Sequence, residues 1–215
     1  MQISHLGHSC VLVESTASRL LVDPGGFTPG WEAVRGLDAV LVTHEHADHL
    51  DRDRLPALLA GNPRARLITE PGVAGQLAGT VDRDVEPLEA GASTTVGAVG
   101  VTATGGRHAV IHADIPRVGN VGYLISSGGV VLYHPGDMLE AVPDGVDVLA
   151  VPLCAPWEAV KETVEFVRAV RAPQAFPIHD AIVSTIGRAL YQRVLGSLTP
   201  ETQLKDLADA GPVTF

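Results

Sequence analysis

The sequence VLVTHEHADH, residues 40–49, joins a short apolar run to a polar segment that is rich in histidine. The run 38–42 is continuously apolar after its first residue, which is typical of a strand buried on both faces. The polar segment contributes three imidazoles and a carboxylate, and these donors suit Zn²⁺, Mn²⁺ or iron. The sequence therefore predicts metal ligands at the end of a buried strand: His44, His46, Asp48 and His49.

These four side chains are not expected to converge from a regular helix. A helix advances by about 100° per residue, so His46 would lie opposite His44. A loop that follows a strand can bring the side chains together. Because the adjacent Asp48 and His49 would join both histidines around one tetrahedral ion only with strain, the spacing favours two ions about 3.5–4 Å apart.

Three further candidate ligands occur later in the chain. Each comes soon after a predicted strand, where the loops of an α/β protein collect functional groups. They are His108, Asp137 and His179. Together with the first cluster they provide enough donors for two three-ligand sets and one bridging carboxylate.

The rest of the pattern consists of short strands with fewer helices. Predicted strands cover 3–6, 10–13, 20–22, 38–42, 66–69, 94–96, 99–104, 118–125, 130–133, 146–151 and 174–177, with breaks at Gly7 and 15–18. Predicted helices cover 55–60, 72–77, 157–167 and 183–195, followed by a short polar C-terminal stretch. Strands precede helices in each half, so residues 1–215 are predicted to form a single α/β domain of two packed sheets with helices outside.

Composition narrows the classes of partner. The 215 residues include 25 Asp and Glu against 15 Lys and Arg, a formal net charge of −10, which disfavours nucleic acid. No apolar run approaches the roughly 18 residues that cross a bilayer, so no membrane partner is expected. Two cysteines and an N-terminus without a basic and apolar leader predict a reduced, cytoplasmic protein. The oligomeric state stays open, a homo-oligomer included.

The order of these motifs resembles the metallo-β-lactamase superfamily. The resemblance rests on the run from His44 to His49, a later histidine, a Gly-Asp pair and a final histidine. The opening HLGHSC, residues 5–10, and LLVDP, residues 20–24, resemble the branch that contains L-ascorbate-6-phosphate lactonase and related metal-dependent hydrolases. The resemblance covers nearly the whole chain and implies an α/β fold of the four-layer αβ/βα sandwich type.

The same resemblance implies a distribution of ligands over two divalent ions, Zn²⁺ by preference, with Mn²⁺ or iron as alternatives. One ion would be held by His44, His46 and His108. The second would be held by Asp48, His49 and His179, with Asp137 between the two ions. His112 lies close to His108 in the sequence and is an alternative to it, although the position of His108 directly after the strand favours His108.

The activity that follows from such a centre is hydrolysis by a metal-bound hydroxide. Two divalent ions lower the pKa of a shared water toward about 7, and Asp48 would orient the resulting nucleophile. His8, His112 and His134 are candidates for the acid that protonates the leaving group. Asp23 and Thr43 are expected to brace the ligand loop, and Asp180 to orient His179.

The expected substrate is a small ester, lactone or phosphoester metabolite. Because the metal centre is positively charged, this substrate can be anionic. A phosphodiesterase or nuclease of the same fold is an alternative, although the sequence shows no basic surface for a polyanion. A di-iron redox or sensing protein is a further alternative, which an iron-specific metal content would support.

Overall fold

Strands dominate the computed structural model, which describes residues 1–16 and 18–215; residue 17, in the predicted break, lies outside the described residues. The strands are β1 (Gln2–Gly7), β2 (Cys10–Glu14), β3 (Arg19–Val22), β4 (Ala39–Val42), β5 (Arg66–Thr69), β6 (Val85–Pro87), β7 (Ser93–Val96), β8 (Val99–Gly105), β9 (Val121–Ser127), β10 (Val130–His134), β11 (Val148–Pro152), β12 (Gln174–Ile178), β13 (Gln203–Leu204) and β14 (Val213–Thr214). The α-helices are α1 (Leu55–Gly61), α2 (Pro71–Leu77), α3 (Val160–Val170) and α4 (Thr185–Leu198).

The strands form two seven-stranded mixed sheets, ordered β14-β1-β2-β3-β4-β5-β6 and β13-β12-β11-β10-β9-β8-β7. In each sheet one half is antiparallel, and the other half, β3 to β6 or β10 to β13, is parallel. Parallel neighbours need a crossover connection. The four helices supply four of the six crossovers, those of the pairs β4–β5, β5–β6, β11–β12 and β12–β13, whereas the β3–β4 and β10–β11 connections contain no α-helix.

The continuous apolar run of β4 is explained by burial on both faces. Ala39 and Leu41 lie in the core between the two sheets, whereas Val40 and Val42 lie in a second core beneath α1 and α2. Alternate residues of a strand point to opposite faces, so an uninterrupted apolar run fits only a strand that is covered on both sides. β11 has the same pattern, with its outward-facing residues packed against α3.

The layers therefore run helix, sheet, sheet, helix, and the predicted α/β sandwich is confirmed. Most predicted strands and helices occur within a few residues of their expected positions. Among the described residues, no helix has the length and apolar character needed to cross a membrane.

One predicted boundary is wrong in a way that affects the site. The periodic pattern predicted a helix from residue 157, but α3 begins only at Val160. The Glu162 carboxylate accepts a hydrogen bond from the backbone N–H of Ala159 (2.8 Å), and this cap defines the helix start. Trp157 is therefore left in the preceding loop, where its ring is free to contact the candidate site.

The C-terminal segment also differs from the prediction. It was expected to be a short polar stretch, but β14 pairs with β1 and places Val213 opposite Ile3. The pairing completes the outer edge of the first sheet with residues that carry little strand periodicity of their own.

The two sheets meet at one edge, where β4, β8, β10 and β12 end. The Tyr123 hydroxyl donates a hydrogen bond to the carbonyl of Val42 (2.9 Å), and the Val121 N–H donates to the carbonyl of Thr43 (3.0 Å). Because these bonds tie the second sheet to the start of the histidine-rich loop, the loops that follow all four strands are brought together there.

Candidate metal centre

The loops at this sheet edge assemble two groups of side chains that could hold metal ions. Within each group, one ligand atom per residue lies within 4.8 Å of the others. The first group is His44, His46, His108 and Asp137. The second is His8, Asp48, His49 and His179. All seven positions predicted as ligands are therefore brought together, and His8 joins them.

The histidine-rich segment is a compact loop rather than a helix. Its last part turns tightly, since the N–H groups of His49 and Leu50 both donate to the carbonyl of His46 (3.0 and 2.9 Å). The loop 24–30 packs directly against it: a Cβ atom on Gly25 would lie 1.6 Å from the carbonyl oxygen of Asp48. Only glycine allows this approach, so Gly25 is needed to hold the loop in place.

Asp23 is the main support of the ligand loop. It is fully buried, and its carboxylate accepts hydrogen bonds from the Thr43 N–H (2.8 Å), the Thr43 hydroxyl (2.7 Å) and Nδ1 of His49 (2.7 Å). Since the Thr43 hydroxyl donates to Asp23, it can accept from Nδ1 of His44 at 3.0 Å. Both histidines are therefore oriented through Nδ1 and present Nε2 to the cluster, in agreement with the predicted bracing role.

Backbone carbonyls orient the later histidines in the same way. Nδ1 of His108 donates to the carbonyl of Ala109 (2.7 Å), and Nδ1 of His179 donates to the carbonyl of Cys154 (2.8 Å). In both cases Nε2 is turned toward the cluster. The prediction that Asp180 orients His179 is wrong, because the Asp180 carboxylate instead pairs with the guanidinium of Arg188 (2.8 Å).

Asp137 lies between the two groups. Its Oδ1 atom is 2.9 Å from Nε2 of His49, and its Oδ2 atom is 3.3 Å from Nε2 of both His108 and His179. The side-chain carbonyl of Asn120 accepts a hydrogen bond from the Asp137 N–H (3.0 Å) and fixes the backbone. Asp137 is thus in contact with imidazoles of both groups, which is the position required of a shared ligand.

Trp157 was not predicted to belong to the site. Its indole N–H donates a hydrogen bond to Oδ2 of Asp137 (2.8 Å), and its ring lies edge-on to those of His108 and His179, with centroids 6.0 and 6.1 Å away. The sequence placed this residue on the apolar face of a helix. Only the spacing of a capping glutamate at residue 162 could have indicated that it belongs to a loop.

The remaining predicted histidines have different surroundings. Nε2 of His8 donates to Oδ2 of Asp48 (3.0 Å), and Nδ1 of His8 accepts from the N–H of Ala181 (3.3 Å). His134 is buried, with Nε2 bonded to the carbonyl of Ser9 and Nδ1 bonded to the N–H of Gly136. The structure brings neither His134 nor His112 into the two groups.

His112 lies on the surface of the loop that follows His108. Its side chain is 65% exposed, and its Nδ1 atom lies beside the carboxylate of Asp114 (3.5 Å). Of the two alternatives left open by the sequence, the geometry therefore favours His108, which is buried and faces Asp137.

The cluster carries opposite charges in close contact when no ion is present. Burial raises the pKa of Asp137, but the imidazoles of His49 and His179 outweigh it and hold that pKa well below its ordinary value. Burial likewise opposes protonation of His179, but the Asp137 carboxylate raises the pKa of His179 to about 10. The same carboxylate, with Asp23, raises the pKa of the buried His49. The protonated imidazoles of His49 and His179 therefore offset part of the carboxylate charge in the metal-free chain.

The arrangement fits a pair of divalent cations. Oδ1 of Asp137 and Nε2 of His179 are buried atoms that have no hydrogen bond of ordinary geometry among the described residues. Such atoms are costly unless a cation or proton satisfies them. Imidazole nitrogen and carboxylate oxygen are also the donors that zinc and similar metals prefer, so the residues present fit the metal.

The Asp23 contacts lead to a prediction about metal affinity. Replacing Asp23 by Asn is expected to weaken binding of Zn²⁺ by about 10–100-fold, because His49 and Thr43 lose their charged acceptor. Competition with a chromophoric chelator would measure the change. The matched control is Asp82→Asn, since the Asp82 side chain is 83% exposed. Equal affinities for both variants would contradict the bracing role.

Glu158, beside Trp157, leads to a prediction about stability. Its carboxylate has no hydrogen bond of ordinary geometry among the described residues, and burial raises its pKa to about 8. Between about pH 4.5 and pH 8 the carboxyl group is protonated in the folded state but ionised in the unfolded chain. Glu158 therefore favours folding at low pH, and this contribution to the free energy of unfolding is lost as the pH rises toward 8. In the metal-free protein, Glu158→Gln is expected to reduce the loss of stability between pH 5 and pH 9 by about 2–4 kcal/mol.

Urea unfolding at both pH values would test this expectation. The control is Glu165→Gln on α3, whose side chain is 70% exposed. If the Glu158 and Glu165 variants changed stability with pH in the same way, the burial of Glu158 would have no energetic consequence.

Comparison with known families agrees with the geometry. The sequence matches the family described as the Beta-lactamase superfamily domain over residues 2–179. The chain therefore belongs to the β-lactamase superfamily, and the predicted superfamily is confirmed. Its fold is similar to that of YhfI, a metallo-β-lactamase fold protein of Bacillus subtilis, with a TM-score of 0.74, 16% identity and 95% coverage of each chain.

The chain is also similar in sequence to known proteins. Protein Rv0786c of Mycobacterium tuberculosis is 44% identical over 220 residues, and the alignment covers 100% of both chains. A UPF0173 metal-dependent hydrolase of Carboxydothermus hydrogenoformans is 31% identical over 199 residues, which cover 83% of this chain and 84% of the relative. The resemblance to the branch containing L-ascorbate-6-phosphate lactonase stays a prediction.

Proposed function

We propose that the protein is a metal-dependent hydrolase that holds two divalent ions, and that these ions are Zn²⁺. The observation that carries the proposal is the position of Asp137, whose carboxylate oxygens face imidazoles of both ligand groups. The relative from Carboxydothermus, named a metal-dependent hydrolase, supports it. One ion would be held by His44, His46 and His108, and the other by Asp48, His49 and His179, with Asp137 shared.

The side chains around the ligands prepare the site for this chemistry. When bound, two divalent ions acidify a water and polarise the carbonyl or phosphoryl oxygen that is attacked. Asp48 is held by His8 (3.0 Å) and lies 3.5 Å from Nε2 of His179, so its carboxylate is fixed before the substrate arrives. Burial raises the pKa of Asp48, but the nearby imidazoles of His179 and His8 outweigh this and keep the group ionised at neutral pH.

His8 acts in this proposal as a positioning residue for Asp48. Both of its ring nitrogens have partners, and burial lowers its pKa, so the ring is neutral at pH 7. A neutral ring that donates to Asp48 orients the carboxylate and does not cancel the negative charge that a metal ion would bind. His134 has a corresponding supporting role, since its two nitrogens join the backbone of Ser9 to that of Gly136.

The proposed substrates are small esters, lactones or phosphoesters. The net charge of −10 disfavours a polyanion, and so a nuclease, whereas a small molecule need only reach the centre at the sheet edge.

The proposal is tested by removing and restoring the metal. Protein stripped with a chelator would be reloaded with Zn²⁺, Mn²⁺ or Fe²⁺ and assayed on p-nitrophenyl esters, simple lactones and bis-p-nitrophenyl phosphate. We expect hydrolysis to disappear with the metal and to return with Zn²⁺. His46→Ala is expected to lose both metal and activity, whereas the matched variant His112→Ala is expected to keep them.

Two results would overturn the proposal. One is a fully loaded protein that hydrolyses none of these compounds. The other is a native iron content with a visible chromophore and no hydrolysis, which would favour the redox alternative.

A further inference from the structure

A cleft of about 560 Å³ lies beside the candidate metal centre. Its larger apolar lining residues are Val110, Leu139, Val142, Trp157 and Phe166. Two of these side chains are unusually exposed for valine, Val110 at 52% and Val142 at 45%. Exposed apolar surface that is gathered in one concave place indicates a binding surface rather than a solvated loop.

The walls of the cleft are attached to the metal centre itself. The Trp157 indole donates to the Asp137 carboxylate (2.8 Å), and the N–H of Ala109, on the opposite segment, donates to the Asp137 carbonyl (2.8 Å). Leu139 and Val142 follow Asp137 in the chain. Three segments of the lining therefore contact or follow the residue that faces both ligand groups, and α3 supplies the remaining lining residues, so the cleft adjoins the candidate site.

The charged groups of the cleft determine what could occupy it. Its lining includes the carboxylates of Glu140, Glu162 and Glu165, and none of the residues that line it is basic. Glu140 lies near Arg117 (3.3 Å), and Glu162 caps α3, so these carboxylates are already engaged within the protein. An anionic group would be repelled here, whereas an uncharged hydrocarbon chain would cover the exposed valines.

We infer that this cleft binds the uncharged, apolar acyl or alkyl part of the substrate while the scissile bond lies at the metal centre. The inference rests on the proposed function, which it narrows from small esters, lactones and phosphoesters to those with a neutral hydrocarbon chain. Each additional methylene that enters the cleft should increase kcat/KM by up to about fourfold, the factor that corresponds to burying one methylene.

The kinetic test uses the zinc-loaded protein and p-nitrophenyl esters with acyl chains of two, four, six and eight carbons. We expect kcat/KM to rise along this series in the wild type and to rise much less in Val142→Asp. The matched control is Leu198→Asp, since Leu198 is 44% exposed on α4 and does not line the cleft. Its series should be parallel to that of the wild type. p-Nitrophenyl esters with a terminal carboxylate on the chain should be poor substrates.

A binding test separates this inference from the proposed function. The neutral fluorescent probe N-phenyl-1-naphthylamine, added to the same proteins, should bind the wild type and Leu198→Asp at least about fivefold more tightly than Val142→Asp. Energy transfer from Trp157 should report its position, and Trp157→Phe should remove most of that transfer. Circular dichroism and thermal unfolding would verify that each variant is folded.

The outcomes are distinguishable. Absence of hydrolysis together with specific probe binding would overturn the proposed function and leave the cleft as a site for apolar ligands. Hydrolysis without chain-length dependence, or equal effects of the Val142 and Leu198 variants, would overturn the inference. Light scattering tests whether a second copy of the chain occupies the cleft instead. If Val142→Asp converts a dimer into a monomer and leaves the acyl-chain series unchanged, the cleft is an interface between two copies and the inference is overturned.

Discussion

Asp137→Asn is expected to reduce hydrolysis by roughly 10²–10³-fold and to lower the metal content of the purified protein. The substitution preserves the shape of the side chain but removes its charge, so both ligand groups lose the carboxylate that contacts them at 2.9–3.3 Å. Loss of charge stabilisation at a catalytic centre has effects of this size. Asp137 is also buried, so solvent cannot compensate for the loss of its negative charge.

Metal analysis of the variant, followed by kinetics at saturating Zn²⁺, would measure both effects. The control is again Asp82→Asn, which changes the same atoms on an exposed residue. The metal-free forms should be compared by thermal unfolding, since His49 and His179 lose their partner in the variant. An unchanged metal content in Asp137→Asn would remove Asp137 from the ligand set.

Addition of Zn²⁺ to the metal-free protein is expected to raise Tm by about 5–10 °C when the free ion is at about 100 times its Kd. Binding to the folded state alone stabilises by about 2.7 kcal/mol under these conditions, and a domain of this size gains about 2–4 °C per kcal/mol. The expected cause is that the buried Asp137 Oδ1 and His179 Nε2 gain a partner.

Zinc binding should also release protons. The pKa of His179 is about 10 without metal, and that of His49 is raised as well, so both rings carry a proton at pH 7 that the ion must displace. We expect about two protons to be released near neutral pH, and zinc affinity to fall as the pH is lowered. Titration in buffers of different ionisation enthalpy would measure the release. Zinc binding without proton release would contradict the assignment of His49 and His179 as ligands.

Much of the candidate site follows from local sequence patterns. A continuous apolar run such as 38–42 requires burial on both faces, and the polar cluster directly after it has to lie at the end of that strand. The same argument applies to His108, Asp137 and His179, each of which follows a strand in the structure. These features depend on the order of residues along one strand and the loop after it, so the sequence alone predicted them.

The partners of each ring depend on distant segments and could not be predicted. His8, His112 and His134 were equal candidates in the sequence, but the structure places His8 against Asp48, His134 against the backbone of Ser9, and His112 on the surface. These differences arise from where separate loops meet at the sheet edge. The residues next to a histidine in the sequence do not indicate which distant loop it will contact.

Trp157 illustrates the same limit for secondary structure. Its apolar spacing with the residues of α3 predicted a helix that includes it, yet the cap at Ala159 starts the helix only after Trp157 and leaves the indole to bond to Asp137. By itself the sequence indicated the candidate ligands, the buried strands and the family. The tertiary structure alone decided that Asp137 lies between the two ligand groups and that an apolar cleft opens beside it, because both features depend on contacts between segments far apart in the chain.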